Sequence, residues 1–306
     1  MKIFLSGGNG MVGTNLRKTL EESSHYEVLA PNKNTLNLLD KLKLKEYFLE
    51  EKPDMVIHCA GIVGGIKMNI QNQAKSLEEN TLMAMNLISV SKETGVTKFL
   101  NLGSSCMYPK DLEKELKISD LLTNLLEPTN EGYALAKIFA WKYLNFMSDQ
   151  SFIGKTAIPC NLFGEYDKFD EGRSHLLPAI IRKVKESKEN GTQIEIWGDG
   201  SARREFMYVG DFVKIILIVI EKFDTFPREF NLGCETDYTI REYYEKVCEV
   251  LDAKQDFKFK LDEPTGMRRK KLDISFQKAF NLEYSFELCK GIRNTYKFFM
   301  ENYGKS

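Results

Sequence analysis

Residues 6–13, SGGNGMVG, constrain the fold of this chain more than any other stretch. Gly7, Gly10 and Gly13 stand in GxxGxxG spacing. The apolar run KIFLS precedes them, and MVGTNLRKTLEES, with apolar residues at helical spacing, follows. Strand, glycine turn and helix in that order are the context a dinucleotide-binding turn needs. Gly7 permits the tight turn, Gly10 lets backbone approach a pyrophosphate, and Gly13 allows close packing of helix on strand. Met11 and Val12 open the helix, whose N-terminal N–H groups and dipole suit a phosphate.

The pattern continues. YEVLA, DMVIHCA and KFLNLGSS read as strands, while KLKLKEYFLEE and SLEENTLMAMNLISVSKETG read as helices. Strands alternating with helices predict an α/β fold, a Rossmann-type doubly wound parallel sheet. After about Ser151 the alternation loosens. GTQIEIWGDGSARREFMYV mixes short strands with turns, and SHLLPAIIRKVKES and TIREYYEKVCEVLD are helical. The expected division is a dinucleotide-binding domain over 1–155, to which segments near 205–233 return. A smaller C-terminal α/β substrate lobe spans 156–306. With 306 residues, 42% hydrophobic, the chain can bury a sizeable core.

Several classes fall away. A formal net charge of -1 gives no global field for nucleic acid. No apolar run reaches the ~18 residues of a membrane span; the longest, FVKIILIVI, is short and contains Lys214. Lys2 leads straight into a strand pattern, so no signal peptide is read. The six cysteines form no CxxC pair, and no metal site or disulfide framework is expected. A reducing cytoplasm is the natural compartment.

The end of the second strand selects the cofactor. An acid there would hold the ribose of NAD, and a base would suit the 2′-phosphate of NADP. APNKNTLNLLD has no acid directly after the strand, and Lys33 is the nearby cation. This favours NADPH, although a solvated loop lysine is the alternative. Leu39 and Asp40 follow, placed for the adenine edge, and Ala60 ends the third strand.

EGYALAK places Tyr133 and Lys137 four residues apart, on one face of a helix. Of thirteen tyrosines only Tyr133 has a lysine at i+4. A nearby ammonium is expected to lower the phenol's pKa from about 10. Tyr133 can then give a proton to a carbonyl oxygen that Ser104, at the end of KFLNLGSS, orients.

With these motifs in place the chain resembles the GDP-L-fucose synthase branch of the extended short-chain dehydrogenase/reductase superfamily. The likeness covers nearly the whole chain and rests on GGNGMVG, LNLLD, AGIVGGI, LGSSCMYP, LEPTNEGYALAK, PCNLFGEYDKF, SHLLPAIIRK, WGDGSARREFMYV and MRRKKLD. It implies that Cys106 and His175 are the proton-moving pair of a 3,5-epimerisation. It also implies that Asn161, Trp197, Arg204 and Lys270 contact a nucleotide-sugar, and that Lys137 holds the nicotinamide ribose. The implied activity is NADPH-dependent reduction of the C4 ketone of a GDP-4-keto sugar, coupled to 3,5-epimerisation. A C4 reductase acting alone on a GDP-4-keto heptose already epimerised elsewhere is the alternative. An NAD-dependent nucleotide-sugar 4-epimerase is a weaker one. Dehydratases of the superfamily carry an acid pair after the serine, where this chain has Ser105 and Cys106. A homodimer through helices near Ser76–Gly95 and Tyr133–Ser148 is implied by the same resemblance. Two departures touch the sugar: Gly132 stands where the branch usually has proline, and Arg173 where asparagine is expected.

Overall fold

A computed structural model describes residues 1–172, 174–263, 265–282 and 287–304. Arg173 therefore lies outside the described residues. The strands are β1 (Lys2–Ser6), β2 (Glu27–Leu29), β3 (Met55–His58), β4 (Lys98–Leu102), β5 (Ile153–Pro159), β6 (Asn161–Phe163) and β7 (Ile194–Trp197). They continue with β8 (Arg203–Arg204), β9 (Phe206–Tyr208), β10 (Glu229–Leu232), β11 (Tyr238–Thr239), β12 (Phe257–Lys260) and β13 (Arg269–Lys270). The helices are α1 (Met11–Glu21), α2 (Lys41–Glu51), α3 (Ile66–Gln71), α4 (Gln73–Glu93) and α5 (Glu131–Met147). After them come α6 (Leu176–Asn190), α7 (Val209–Glu221), α8 (Ile240–Leu251), α9 (Ser275–Ala279) and α10 (Leu288–Tyr303).

Six strands form one parallel sheet in the order β10-β5-β4-β3-β1-β2. Their near-continuous apolar sequences are explained by burial on both faces. Ile3, Leu5, Met55, Ile57 and Leu100 point into one core with Leu16 of α1 and Phe212 and Ile216 of α7. The alternate residues Phe4, Val56 and Phe99 point into another with Phe48 of α2, Leu87 and Ile88 of α4, and Leu144 of α5. The sheet is thus doubly wound and Rossmann-like. FVKIILIVI lies within α7, where Phe212, Val213, Ile215, Ile216, Val219 and Ile220 are buried. No helix among the described residues is long and apolar enough to cross a membrane.

The edge strand β2 is shorter than YEVLA suggested, and its Glu27 is exposed. A third core joins α6, α8 and α10 through Leu177, Ile181, Val247, Tyr243 and Ile292. Around it lie the small sheets β12-β7 and β11-β8-β13. The chain returns to the main sheet between them, through α7 against α1 and β10 against β5. Ligands bind in open parallel sheets outside the carboxyl ends of the strands, here those of β1, β3, β4 and β5.

Candidate active site

The glycine turn is shaped by two steric demands. Gly7 has φ +74, and a Cβ on it would lie 2.7 Å from the Ala60 nitrogen. A Cβ on Gly13 would lie 2.1 Å from the Gly7 carbonyl oxygen. Both positions exclude a side chain, so β1, the turn and α1 approach as closely as backbones can. Gly10 caps α1 with no side chain over the first turn, and its own Cβ would meet only the Gly7 carbonyl oxygen, at 3.4 Å. The helix N-terminus is therefore left free for an anion. Beneath the turn, Ser6 Oγ lies 2.8 Å from His58 Nδ1 and accepts from the Ala60 N–H at 3.3 Å.

Lys33 is exposed on the loop after β2 and has no ion-pair partner among the described residues. Asp40 has another job: it caps α2 by accepting from the Lys43 N–H at 3.1 Å and ion-pairs with Lys43. Leu39 is half-buried, its carbonyl accepting from Asn86.

At the end of β4, Ser104 caps a short 3-10 turn, its Oγ accepting from the Cys106 N–H at 3.2 Å. Across from it α5 brings Tyr133 and Lys137, both buried. The Ser104 hydroxyl lies close enough to the Tyr133 phenol to lower its pKa. The expected lowering of that phenol is not what the structure shows. Burial raises the Tyr133 pKa, the nearby Cys106 adds to the rise, and the Ser104 hydroxyl only partly offsets it. Burial also pushes Lys137 down to about 8. Its Nζ donates to the Leu102 carbonyl at 2.8 Å and lies 5.7 Å from the Tyr133 ring centre. Tyr133 is thus held protonated at neutral pH, as a proton donor must be.

Cys106 faces this pair. Asn130 Nδ2 lies 3.2 Å from its sulfur and Lys270 Nζ 3.6 Å, so two donors, one cationic, converge on the thiol. Lys270, expected among the nucleotide contacts, is buried on β13, which pairs with β8, and its Nζ lies near Cys106. The Asn130 Oδ1 is buried without a donor.

His175 occupies the N-cap position of α6, but its side chain makes no capping bond. Its Nδ1 lies 3.5 Å from Oδ1 of buried Asp167. Burial pushes the imidazole down, but the hydrogen bond and charge of Asp167 together outweigh it, so the His175 pKa sits above its ordinary value. One loop touches both halves of the site. A Cβ on Gly61 would lie 3.9 Å from Tyr133 Cε2, and one on Gly65 would lie 2.8 Å from the Ser174 carbonyl oxygen.

Farther along the cleft, Asn161 donates to the Glu205 carbonyl at 2.9 Å. Trp197 ends β7, with Lys67 Nζ 4.9 Å and Lys183 Nζ 5.6 Å from its ring centre. Arg204 donates to the carbonyls of Arg203 and Thr265. Asn130, Asp167, Lys67 and Lys183 are members of this constellation that sequence reasoning missed, because no spacing links them to their partners. Cys160, Glu205 and Cys234 also meet, buried, with potential ligand atoms within 4.8 Å of one another. Burial pushes Glu205 up to about 8, and its carboxylate accepts from the backbone of Cys234 and Leu272.

Residues 3–233 match the NAD dependent epimerase/dehydratase family. The chain is 46% identical over 303 residues to the GDP-L-colitose synthase of Yersinia pseudotuberculosis, covering 98% of each protein. It is 41% identical to the GDP-L-fucose synthase of Azorhizobium caulinodans, covering 98% of this chain and 96% of that one. The chain belongs to the GDP-L-fucose synthase branch of this family. Among solved structures it superposes on the GDP-mannoheptose C4 reductase of Campylobacter jejuni with NADP bound. The TM-score is 0.87 at 25% identity, over 97% of this chain and 98% of that one.

Against the pattern of the branch, Gly132 now has a physical reason. A Cβ there would lie 2.3 Å from the Gln73 carbonyl oxygen, and the Gly132 N–H donates to Gln73 Oε1 at 2.6 Å. The start of α4 packs directly on the start of α5, and a proline would lose the donor as well as clash.

Proposed function

We propose that the protein reduces the C4 ketone of a GDP-4-keto sugar with NADPH and, in the same site, epimerises C3 and C5. The observation that carries this reading is the contact of two chemistries. Ser104, Tyr133 and Lys137 form the proton-donating group of a ketoreductase, and Cys106 lies directly beside them. The relatives named above support the substrate class, and the NADP-bound reductase supports the cofactor. Residues 1–155 with 205–233 are assigned to the cofactor and 156–306 to the substrate.

Gly7, Gly10, Met11, Val12 and Gly13 would hold the cofactor's diphosphate, with Ala60 beneath it and Leu39 and Asp40 toward the adenine. The cradle fits, since Gly13 and Gly7 leave no room for side chains and the first turn of α1 is uncapped. Lys33 would meet a 2′-phosphate and Lys137 the nicotinamide ribose. When bound, the cofactor supplies hydride. Ser104 orients the ketone oxygen and Tyr133 protonates it. A C4 ketone acidifies the protons on C3 and C5. Before the ketone is reduced, Cys106 and His175 take and return those protons, while Ser104 and Tyr133 stabilise the enolate oxygen. Asp167 holds His175 in place and favours its protonated form. Asn161, Trp197 and Arg204 grip the nucleotide, and Lys270 links that end to Cys106.

The test is loss of absorbance at 340 nm with NADPH and a GDP-4-keto sugar. Tyr133→Phe removes the proton donor and should slow reduction by roughly 10²–10⁴-fold, with NADPH affinity little changed. Near-normal turnover in that variant would refute the mechanism. Lys33→Glu should raise KM for NADPH about ten- to a hundredfold more than for NADH, as loss of a charge-assisted contact predicts. An unchanged preference would remove Lys33 from the cofactor site.

The likeness to a heptose C4 reductase favours a second reading, in which the protein only reduces a GDP-4-keto heptose epimerised elsewhere. We further infer a cytoplasmic homodimer that serves capsule or surface polysaccharide synthesis. Exposed Leu77 and Leu82 on α4 and Leu135 and Phe146 on α5 support the dimer.

A further inference from the structure

Lys67 sits on α3, and α3 is fixed at both ends of the cleft. Asn69 clamps the preceding turn, its Oδ1 accepting from the Gly64 N–H at 3.1 Å and its Nδ2 donating to the Gly64 carbonyl at 3.0 Å. Gly65 packs on the Ser174 carbonyl, one residue before His175. The helix is thereby carried across from β3 to the second lobe, and Lys67 arrives over Trp197 with its Nζ 4.9 Å from the ring centre.

Lys67 is not alone there. Lys183 of α6 places its Nζ 5.6 Å from the same ring. Arg204 joins through Thr265, whose carbonyl accepts from Arg204 Nη2 at 3.0 Å and whose methyl crowds Gly198, the residue after Trp197. Two ammonium groups from two chain segments thus lie over one indole, and Arg204 is tied to the neighbouring Gly198 turn through Thr265. Among the described residues no ion pair is formed by any of the three, although Lys183 donates to the Glu195 backbone carbonyl at 3.1 Å. Ring faces attract ammonium groups weakly, whereas like charges repel; Glu195, Glu171 and Glu186 offset this at Lys183 and Glu127 at Arg204, from beyond ion-pair distance. The arrangement is completed by a polyanion.

We propose that Lys67 is a diphosphate-binding residue of the nucleotide-sugar site, and that this contact pins α3 across the cleft when substrate binds. The inference rests on the GDP-sugar reading above. Trp197 holds the ammonium in place while Lys183 and Arg204 supply the rest of the positive field.

Calorimetric titration with GDP and with guanosine, on the full chain, tests this. Lys67→Ala should weaken GDP about ten- to a hundredfold, the range of a charge-assisted contact, and leave guanosine unchanged. Lys67→Arg should restore GDP affinity to within about threefold, since the charge is kept. In turnover, Lys67→Ala should raise KM for the GDP-sugar with kcat little changed, the signature of a binding contact. NADPH affinity reports that the fold is intact. Equal GDP affinity in wild type and Lys67→Ala, or an equal loss for guanosine, overturns the role of Lys67 alone. A wild-type protein that binds no GDP overturns both this role and the GDP-sugar reading.

Discussion

At the scale of single residues, spacing revealed the groups and folding decided their state. Tyr133 and Lys137 are legible because a helix puts positions four apart on one face. The direction of the Tyr133 shift was not legible, because burial is a property of the folded site and here it is the largest cause. Lys270 and Asn130 could not be tied to Cys106 from sequence either, since strand pairing, not spacing, brings Lys270 to the sulfur. The state of Lys137 has a measurable consequence. With its pKa pushed down to about 8 by burial, the ammonium is charged below that pH and lost above it. The profile of kcat/KM reports the free enzyme, so it should fall as pH rises through about 8. A flat profile up to pH 9.5 would show that the charge on Lys137 is not needed.

At the scale of elements, β1, β3 and β4 were legible because burial on both faces demands unbroken apolar runs, and the glycine turn because two of its positions exclude a Cβ. The short strands β8, β11 and β13 were not, as two-residue pairings leave no periodicity to read. His58 shows how an element's packing sets a chemical property. It lies in β3 opposite Ser6 of β1, and burial together with the charge of Lys137 pushes its imidazole down to about 3. Between about pH 3 and 6.5 the unfolded chain therefore binds a proton that the folded chain refuses. This group's contribution to stability is complete above pH 6.5 and is lost as pH falls, by about 1.4 kcal/mol per unit at most. His58→Gln should flatten the decline in stability between pH 7 and pH 5 measured by urea unfolding. Parallel curves for variant and wild type would assign that decline to other groups.

At the scale of the whole molecule, α4 and α5 carry exposed apolar side chains, Leu77, Leu82, Leu135 and Phe146. Phe146 is 82% exposed, and burying such a ring against a second copy is worth about 1.5–3 kcal/mol. Sedimentation should therefore give twice the monomer mass, and Leu77→Glu with Phe146→Glu should shift the protein toward monomer; a monomeric wild type would contradict the dimer. The central claim is that one cleft both moves protons on carbon and reduces the ketone. It is tested most directly by turnover of a GDP-4-keto sugar with NADPH in D2O, followed by NMR of the product. Wild-type product should carry deuterium at C3 or C5, and Cys106→Ser should still reduce C4 while leaving those carbons unlabelled. Wild-type product reduced at C4 but free of carbon-bound deuterium would contradict the account and leave Cys106 as part of the pocket wall.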